Sequence, residues 1–580
     1  SWLRLALNLR EKIKLGVKQG IFIWAALVGA RGALTALLFE MGVELVQDLL
    51  TGRHGYRQIQ AFQEMASQDW AWCVFVPAAG GLLAGLTLLF TQRFVPAKAT
   101  EYMEAVALGN GYVPPKPSLL RSLSAVFSIG SGASIGREGP LVQSAAVVGS
   151  ALGRFFHLSA PRLRLVVACA AASGMSAAFH TPLAGGLFVS EIVLGALTID
   201  FLAPLLVASC AGYFTMGLFH APAPIYQLQQ EVSLTGNQHV LWCVLLGCLA
   251  SLLASVWLLV LKKSRQYLNG KRHWLPVRLM AAGMLVGVIA IFYPEIVGNG
   301  KNIITALIHY EFDTTKAAIL LALKICTVAI VFGVGIVGGA LTPSLTIGSV
   351  FGFLFSAALT QMGVPGEHAI AYSLVGMAAF FTTAANAPIT SLVLVVEFTM
   401  AGQMMFPLII GVLVSYGTAR LTKAQSMYHD SLAFGPRSTF DKPLAQVQLQ
   451  DVARKDPPVV HPLDKFGTIA AMLIKNPAQP IFVTSPAGKY LGSVEAEDVA
   501  AFARNKELAQ AVLAMDVLRN DMPTLPADMH LPEALGIFSR PHCGESLALV
   551  NPDNDHLLGV VNKTDLYLVL SEIMRREKLQ

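Results

Sequence analysis

Charged residues are scarce in this chain, and long apolar runs take their place. Asp, Glu, Lys and Arg make up 13% of its 580 residues, whereas a soluble domain carries about 25%. Hydrophobic residues make up 54%, and the mean hydropathy is +0.57. Residues 240–261 contain no charge and are long enough to cross a bilayer, which takes about 20 residues. The composition therefore predicts an integral membrane protein surrounded by lipid and excludes a soluble enzyme.

Cysteine offers no reactive or metal-binding pattern. Six of the seven cysteines lie in apolar runs, and the seventh, Cys543, lies in the C-terminal part. None has the spacing of a metal-ligand pair, so we interpret them as small apolar side chains. A nucleophile–base set and a phosphate-binding loop are also missing from the sequence. We therefore expect no catalysis, no metal site and no required cofactor.

The charged residues that are present indicate the orientation of the chain in the membrane and do not point to a charged binding partner. A net charge of +6 is modest and gives no indication of nucleic-acid binding. Part of it lies before the first apolar run, in Arg4, Arg10, Lys12, Lys14 and Lys18. A basic segment before the first span favours the cytoplasmic side, and the pattern of a cleavable signal is missing there. We therefore expect a cytoplasmic N-terminus.

Composition divides the chain into four parts. Apolar runs fill residues 21–425 after a basic segment at 1–20, and many of them are short or broken by Gly or Pro. Such interruptions are typical of membrane bundles in which irregular backbone lines a cavity. Charged residues and proline then become frequent. We predict a linker at 426–445 and a compact cytoplasmic domain at 446–580.

An ion pair stands among glycines between two apolar segments. Residues Gly130–Pro140 read GSGASIGREGP and contain the adjacent Arg137 and Glu138. Ionisable residues at membrane depth mark ion pathways, and exposed N–H groups of glycine-rich backbone can bind an anion. The alternative is a solvated ion pair in a surface loop.

The membrane part repeats itself. Residues Gly136–Pro140 match Gly339–Pro343, and Phe179–Glu191 match Ala385–Glu397, in the same order and with nearly the same separation. Internal repeats with Gly/Pro interruptions at corresponding positions point to a binding site at the repeat interface. Helix N-termini at such a site favour anions.

These segments resemble the CLC family of chloride channels and chloride/proton antiporters. The resemblance rests on Gly136–Pro140, on Gly338–Pro343 and on Tyr428 after the last span. It implies a polytopic α-helical membrane protein with inverted internal repeats. It also implies a homodimer in which each subunit has its own chloride pore.

The resemblance assigns roles to individual residues. Glu138 would be the gating glutamate, whose carboxylate competes with the anion. Tyr428 would donate its hydroxyl to a central anion, although an interfacial tyrosine is the alternative. The full anion-binding set that the resemblance implies is Arg137, Glu138, Gly139, Ala340, Leu341 and Tyr428, mostly through backbone N–H groups.

One departure from the family pattern concerns selectivity. The family usually has a serine whose hydroxyl faces the central anion, and Ala97 stands about where that serine would be. One contact to the anion is therefore missing or replaced. Pro140, which the fluoride-exporting branch usually lacks, favours chloride.

A second departure concerns protons. Antiporters of the family commonly carry an inner glutamate where this chain has Ile192. Glu138 and Glu191 remain as candidates for a proton path, but the repeat partner Glu397 favours a structural role for Glu191, in which the pair bonds the ends of facing helices. The sequence thus favours a channel-like or weakly proton-coupled protein. A chloride/proton antiporter is the alternative, and a divalent-cation transporter regulated by CBS domains is a weaker one.

Two further ionisable residues in the apolar part are interpreted as structural. Lys324 stands alone in its apolar run, where a buried charge needs a partner. His180 aligns with Asn386 in the repeat, which argues against a titrating switch.

The C-terminal part also repeats. Residues Gly492–Asp498 match Gly559–Asp565, and each follows a strand-like run, at 480–484 and 546–550. Two such β–α units resemble a tandem pair of CBS domains. In that family the aspartates equivalent to Asp498 and Asp565 often contact an adenine nucleotide.

The usual hydroxyl residue of that nucleotide site is missing in both units. Its positions hold Glu495 and Asn562. A role confined to packing is therefore the alternative to nucleotide binding.

Overall fold

The computed structural model describes residues 19–569 apart from short gaps. The gaps are 56, 96–99, 108, 157, 159, 196, 220–222, 235, 269, 271, 365–367, 429–446, 455–456, 476–479, 496–497, 500–511, 539–543, 564 and 567–568. Ala97, Cys543 and most of the predicted linker lie outside the described residues. The chain divides into two compact units. A membrane unit covers most of the chain up to residue 431, and a C-terminal unit covers mainly the rest.

The membrane unit is helical. Its first half contains α1 Gln19–Thr51, α2 Gln58–Gln68, α3 Trp70–Phe94, α4 Tyr102–Ala107, α5 Pro115–Gly130, α6 Glu138–Phe155, α7 Ala160–Phe179, α8 Ala184–Phe188 and α9 Ile199–Gly217. Its second half contains α10 Asn237–Leu268, α11 Leu275–Phe292, α12 Lys301–Ile308, α13 Thr314–Val334, α14 Leu341–Gln361, α15 Ala369–Ala385, α16 Pro388–Thr399 and α17 Met405–Leu421. Eight helices in the described part are long and apolar enough to span a membrane.

The helix order repeats, as the sequence predicts. Helices α5 to α9 correspond to α13 to α17, and α3 packs against its counterpart α11. The matching helices α7 and α15 both end in a non-glycine residue with positive φ, His180 at 53° and Asn386 at 57°. Histidine and asparagine are among the side chains that tolerate this conformation. The position of His180 is thus explained by the end of a helix.

Local signals set the bounds of α13, which carries the isolated lysine. Asp313 precedes the helix, and its carboxylate accepts a hydrogen bond from the backbone N–H of Lys316 at 3.0 Å. Such a cap satisfies one of the first N–H groups of a helix. Gly335, with a φ of 97°, ends the helix in the left-handed conformation that glycine adopts readily.

The C-terminal unit contains two similar β–α units. The first has β1 Val459–Val460, α18 Phe466–Lys475, β2 Ile481–Thr484 and β3 Tyr490–Val494, and the second has β4 Leu525–Pro526, α19 Leu531–Phe538, β5 Ser546–Val550 and β6 Leu557–Asn562. In each sheet the first strand pairs parallel with the second, and the second pairs antiparallel with the third. This is the α/β pair of the sequence prediction.

Candidate anion pathway

Two helix starts from opposite halves of the membrane unit are joined through a pair of glycines. Helix α6 begins at Glu138 and helix α14 begins at Leu341. Just before them, the N–H of Gly136 donates to the carbonyl of Gly339 at 2.8 Å, and the N–H of Gly339 donates to the carbonyl of Gly136 at 2.7 Å. The two glycines are equivalent in the repeat. The repeated motifs therefore contact each other at the junction of the halves.

Both helix starts are suited to an anion. Pro140 and Pro343 are each the third residue of their helix, within the first turn, where N–H groups have no intrahelical acceptor. Proline is tolerated at the start of a helix because its missing donor costs no helical hydrogen bond there. The remaining N–H groups carry the positive end of the helix dipole.

The carboxylate of Glu138 lies at this junction. The side chain is buried, and Thr342, the second residue of α14, donates its hydroxyl to Oε1. Oε2 has no hydrogen-bond donor among the described residues. A Cβ at Gly339 would stand 2.7 Å from Oε2, so the carboxylate fits only against glycine there. The position of Glu138 is that of a tethered anion at the start of α14.

A cavity of about 190 Å³ opens beside this carboxylate. Of the residues that the resemblance assigns to the anion, it is lined by Glu138, Gly139, Ala340, Leu341 and Tyr428. The structure thus brings together residues from both halves and from the segment after α17.

Arg137 differs from the rest of that set. Its side chain does not line the cavity and pairs instead with Glu40 of α1 at 3.2 Å. Any part of Arg137 in anion binding is therefore left to its backbone N–H.

Tyr428 is held by the end of α15. The backbone N–H of Met427 donates to the carbonyl of Ala384 at 2.8 Å, and the hydroxyl of Ser426 donates to the carbonyl of Ala385 at 2.9 Å. The ring of Tyr428 stands edge-on to Phe188, with 5.8 Å between ring centroids. These contacts direct the side chain into the cavity and argue against a position in the membrane interface.

Glu191 and Glu397 form a reciprocal pair of helix caps. Glu191 accepts from the N–H groups of Ile389 and Thr390 at 3.1 and 2.7 Å. Glu397 accepts from the N–H groups of Leu183 and Ala184 at 2.9 and 2.8 Å. Glu191 of the first half therefore caps the start of α16 in the second half, and Glu397 of the second half caps the start of α8 in the first half. These two helices correspond to each other in the repeat. The predicted bonding between the ends of facing helices is confirmed.

The polar side chains at the site that escaped the sequence analysis include Thr342, Gln143 and Tyr102. Thr342 belongs to the repeated motif of the second half. Its contact with Glu138 joins the two halves, so no pattern in the neighbouring sequence indicates it. Gln143 of α6 accepts from the N–H of Tyr102 at 2.8 Å and donates to the carbonyl of Thr100 at 2.9 Å. It thereby fixes the start of α4, which carries Tyr102 to the cavity wall.

Lys324 is buried and bound by uncharged acceptors. Its ammonium donates to Ser134 Oγ at 2.9 Å and to the carbonyls of Ile296 and Gly298 at 3.2 and 2.8 Å. No carboxylate pairs with it among the residues that the structure describes. The ammonium ties the loop before α6 to the loop before α12, which agrees with a structural role.

The two aspartates of the C-terminal unit are bound by arginines. Arg519 donates to Asp498 at 2.7 Å. Arg454 donates to both oxygens of the buried Asp565 at 3.1 and 3.2 Å, and Asn562 adds a third hydrogen bond at 2.9 Å. Each arginine precedes one β–α unit and binds the aspartate of the other, so the two clasps connect the units reciprocally.

Comparison with known proteins decides the family. The family model described as voltage gated chloride channel matches residues 80–420, and a model of CBS domains matches residues 514–572. The chain belongs to the CLC voltage-gated chloride channel family. It is an integral membrane protein of a family of chloride transport proteins, with a CBS domain in its C-terminal unit.

Curated relatives agree with this assignment. A protein of Ralstonia nicotianae named as ClcB-like chloride channel protein is 36% identical over 73% of this chain and 98% of its own length. A voltage-gated ClC-type chloride channel ClcB of Shigella flexneri is 29% identical over 70% of this chain and 98% of its own length.

Solved structures share the fold. A eukaryotic CLC transporter matches with a TM-score of 0.64 and 17% identity, over 94% of this chain and 97% of that one. A slow cyanobacterial Cl⁻/H⁺ antiporter matches with a TM-score of 0.62 and 19% identity, over 70% of this chain and 96% of that one. Both likenesses concern the CLC fold, with its inverted repeats.

Proposed function

We propose that this protein conducts chloride through the cavity at the junction of its two halves, and that Glu138 is the gate. The observation that carries the proposal is the buried carboxylate between two helix starts, with Oε1 on the Thr342 hydroxyl and Oε2 without a donor among the described residues. A carboxylate in this position occupies the place of an anion. It must leave before chloride can pass.

Backbone N–H groups supply most of the chloride binding. Those of Glu138 and Gly139 at one helix start and those of Ala340 and Leu341 at the other are the donors we propose, with the hydroxyl of Tyr428. Chloride competes with the carboxylate for this place, and protonation of Glu138 removes the competing charge. Flux should therefore rise with chloride concentration and with external acidity.

Thr342 compensates for the side-chain donor that the sequence lacks near Ala97. When the Glu138 carboxylate leaves, the Thr342 hydroxyl loses its acceptor and faces the vacated place. A hydrogen bond from a hydroxyl to a charged acceptor contributes about 1.5–3 kcal/mol. This donor, together with Pro140 in the first motif, favours chloride as the transported ion.

The coupling mode we propose is channel-like or weakly proton-coupled. A proton relay through a membrane is built from Asp, Glu or His, and the inner position holds the buried Ile192. Both oxygens of Glu191 accept helix N–H groups, which favours capping over proton transfer. Chloride/proton antiport, with Glu138 and Glu191 on the proton path, is the second candidate, since an antiporter is among the similar structures.

We further propose a homodimer with the N-terminal segment and the C-terminal unit in the cytoplasm. The domain bounds we retain are 1–20, 21–425, 426–445 and 446–580. The arginine clasps on Asp498 and Asp565 support a packing role for the CBS pair, and adenine-nucleotide binding would require these contacts to open. We propose no catalysed reaction.

Purified protein in liposomes, with chloride efflux and proton movement recorded together, tests the proposal. We expect chloride efflux well above that of empty vesicles, without sustained uphill proton pumping when only a chloride gradient is imposed. Proton pumping at a fixed chloride-to-proton ratio would show that the protein is a chloride/proton antiporter and would contradict the channel-like mode. Transport of a divalent cation with no chloride flux would contradict the proposal as a whole.

A further inference from the structure

A second cavity adjoins the pore cavity in the membrane unit. Its volume is about 320 Å³. Its walls come from α10, from Phe332 of α13 and from residues 422–427 after α17. It shares Arg265, Phe332 and Met427 with the cavity that contains Glu138 and Tyr428. The two cavities therefore adjoin each other at these three residues.

The charge in the second cavity has one sign. Lys262, Arg265 and Lys423 line it, and no Asp or Glu is present among the described residues of its lining. Lys262 and Arg265 are three residues apart on α10 and so lie on one face of that helix. A concave surface with three cations and an adjacent low-dielectric wall raises the local concentration of anions.

Arg265 is the residue that connects the two cavities. Its guanidinium lies 5.2 Å from the centroid of the Phe332 ring, a distance at which an arginine is attracted to an aromatic face. This contact orients the guanidinium at the boundary. Arg265 thus presents positive charge to both cavities.

We propose that Lys262, Arg265 and Lys423 form an anion-collecting site that supplies chloride to the pore cavity from the side of Tyr428. The inference rests on the proposed chloride conduction and adds to it the residues that set the rate of entry. Because the second cavity shares Arg265, Phe332 and Met427 with the pore cavity, its position favours the transported anion over a lipid phosphate as the occupant.

The physical consequence is a salt-dependent rate. Unit charges about 8 Å apart in water interact with roughly the thermal energy, so each neutralised cation should lower entry about twofold. The Debye length is about 30 Å at 0.01 M ionic strength and about 3 Å at 1 M. The effect should therefore be large at low ionic strength and disappear at high ionic strength.

The test uses the full chain in vesicles of neutral phosphatidylcholine. Chloride efflux is measured at one low chloride concentration, while an impermeant salt raises the ionic strength from about 0.01 to about 1 M. We expect Lys262→Gln and Lys423→Gln each to lower the chloride efflux rate at low salt about twofold. The triple variant, which adds Arg265→Gln, should lower it about eightfold. At high salt the efflux rates of all variants should converge on that of the wild type. Arg265→Lys should stay near the wild type.

The matched control is Lys263→Gln, which removes a neighbouring exposed charge that does not line the cavity. Equal losses in Lys262→Gln and Lys263→Gln, or losses that persist at high salt, would overturn the inference. A loss seen only in vesicles with anionic lipid would also overturn it, in favour of a lipid phosphate. If the wild type itself gave no chloride flux, the proposed function would fail instead.

Discussion

Glu138 and Thr342 belong to opposite halves of the repeat, and the Thr342 hydroxyl donates to the Glu138 carboxylate. The first residue of one helix is thus held in place by the second residue of its counterpart. The carboxylate acts as a bound anion that belongs to the protein. In the mechanism we propose, chloride, which has no tether, takes the same donors only when this carboxylate has left.

Removal of the carboxylate should open the pathway. Glu138→Gln and Glu138→Ala should raise chloride flux or make it insensitive to external pH, because no charged group then competes with the anion. Efflux from liposomes at several external pH values measures this. Glu64→Gln is the control, since Glu64 pairs with Arg53 outside the cavity. Wild-type flux and wild-type pH response in both Glu138 variants would disprove the gate.

Loss of the Tyr428 hydroxyl should weaken anion binding. Tyr428→Phe keeps the edge-on contact with Phe188 and removes only the donor, which is worth about 1.5–3 kcal/mol toward a charged acceptor. The dissociation constant should therefore rise about tenfold or more by calorimetry. Tyr310→Phe, at an exposed position, should leave it unchanged. Equal affinities in the two variants would show that Tyr428 does not bind the anion.

The Thr342 hydroxyl should act on both the gate and the anion. Thr342→Val removes the donor at nearly constant volume, so the closed carboxylate is less stable and flux in the wild-type background should rise. In the Glu138→Gln background the same change should lower chloride affinity, because the hydroxyl then serves the anion. The double-mutant cycle in flux and calorimetry separates the two effects. Additive effects without a change of sign would contradict this dual role.

The reciprocal caps allow a direct test of the proton path. Glu191→Gln and Glu397→Gln should lower stability by similar amounts, about 0.5–2 kcal/mol, as expected for a lost helix cap. Thermal unfolding in detergent measures this loss. The two glutamates make equivalent caps in the two halves, so each variant serves as the control for the other. A defect in proton movement found only in Glu191→Gln would therefore reveal a proton role for Glu191. Equal behaviour of the two variants would support capping.

The arginine clasps predict how the C-terminal unit responds to nucleotides. Since Asp498 and Asp565 already accept arginine donors, we expect millimolar AMP, ADP or ATP to leave the melting curve of the full chain unchanged. Arg454→Gln should destabilise the unit, because it leaves the carboxylate of the buried Asp565 with fewer donors. A nucleotide-dependent shift that disappears in Asp498→Ala or Asp565→Ala would show that the site binds nucleotide.

Much of the fold was predictable because it follows from repeated local patterns. The apolar runs fall within the helices, and the motif beginning at Gly136 contacts its counterpart at Gly339 as an interface between repeats requires. The strands at 481–484 and 546–550 also lie in the two strand-like runs that the sequence shows before each repeated segment.

Short helices and contacts between the halves were not predictable. Helices α4 and α12 have six and eight residues, too few for a periodic pattern to emerge. Ser134 lies 190 residues from Lys324 in the chain, and Thr342 lies 204 residues from Glu138. These pairs are brought together by packing that no local pattern encodes. The second cavity, which shares Arg265 with the pore cavity, also forms by packing of segments that are distant in the sequence.

The most direct test of the account is the position of a heavy halide in crystals of the protein grown in bromide. In Glu138→Gln, we expect anomalous density for bromide at the start of α14, within hydrogen-bonding reach of the Thr342 and Tyr428 hydroxyls. In the wild type, we expect the Glu138 carboxylate to exclude bromide from the place that it occupies. Bromide density absent from this cavity in both proteins would contradict the claim that the anion passes through it.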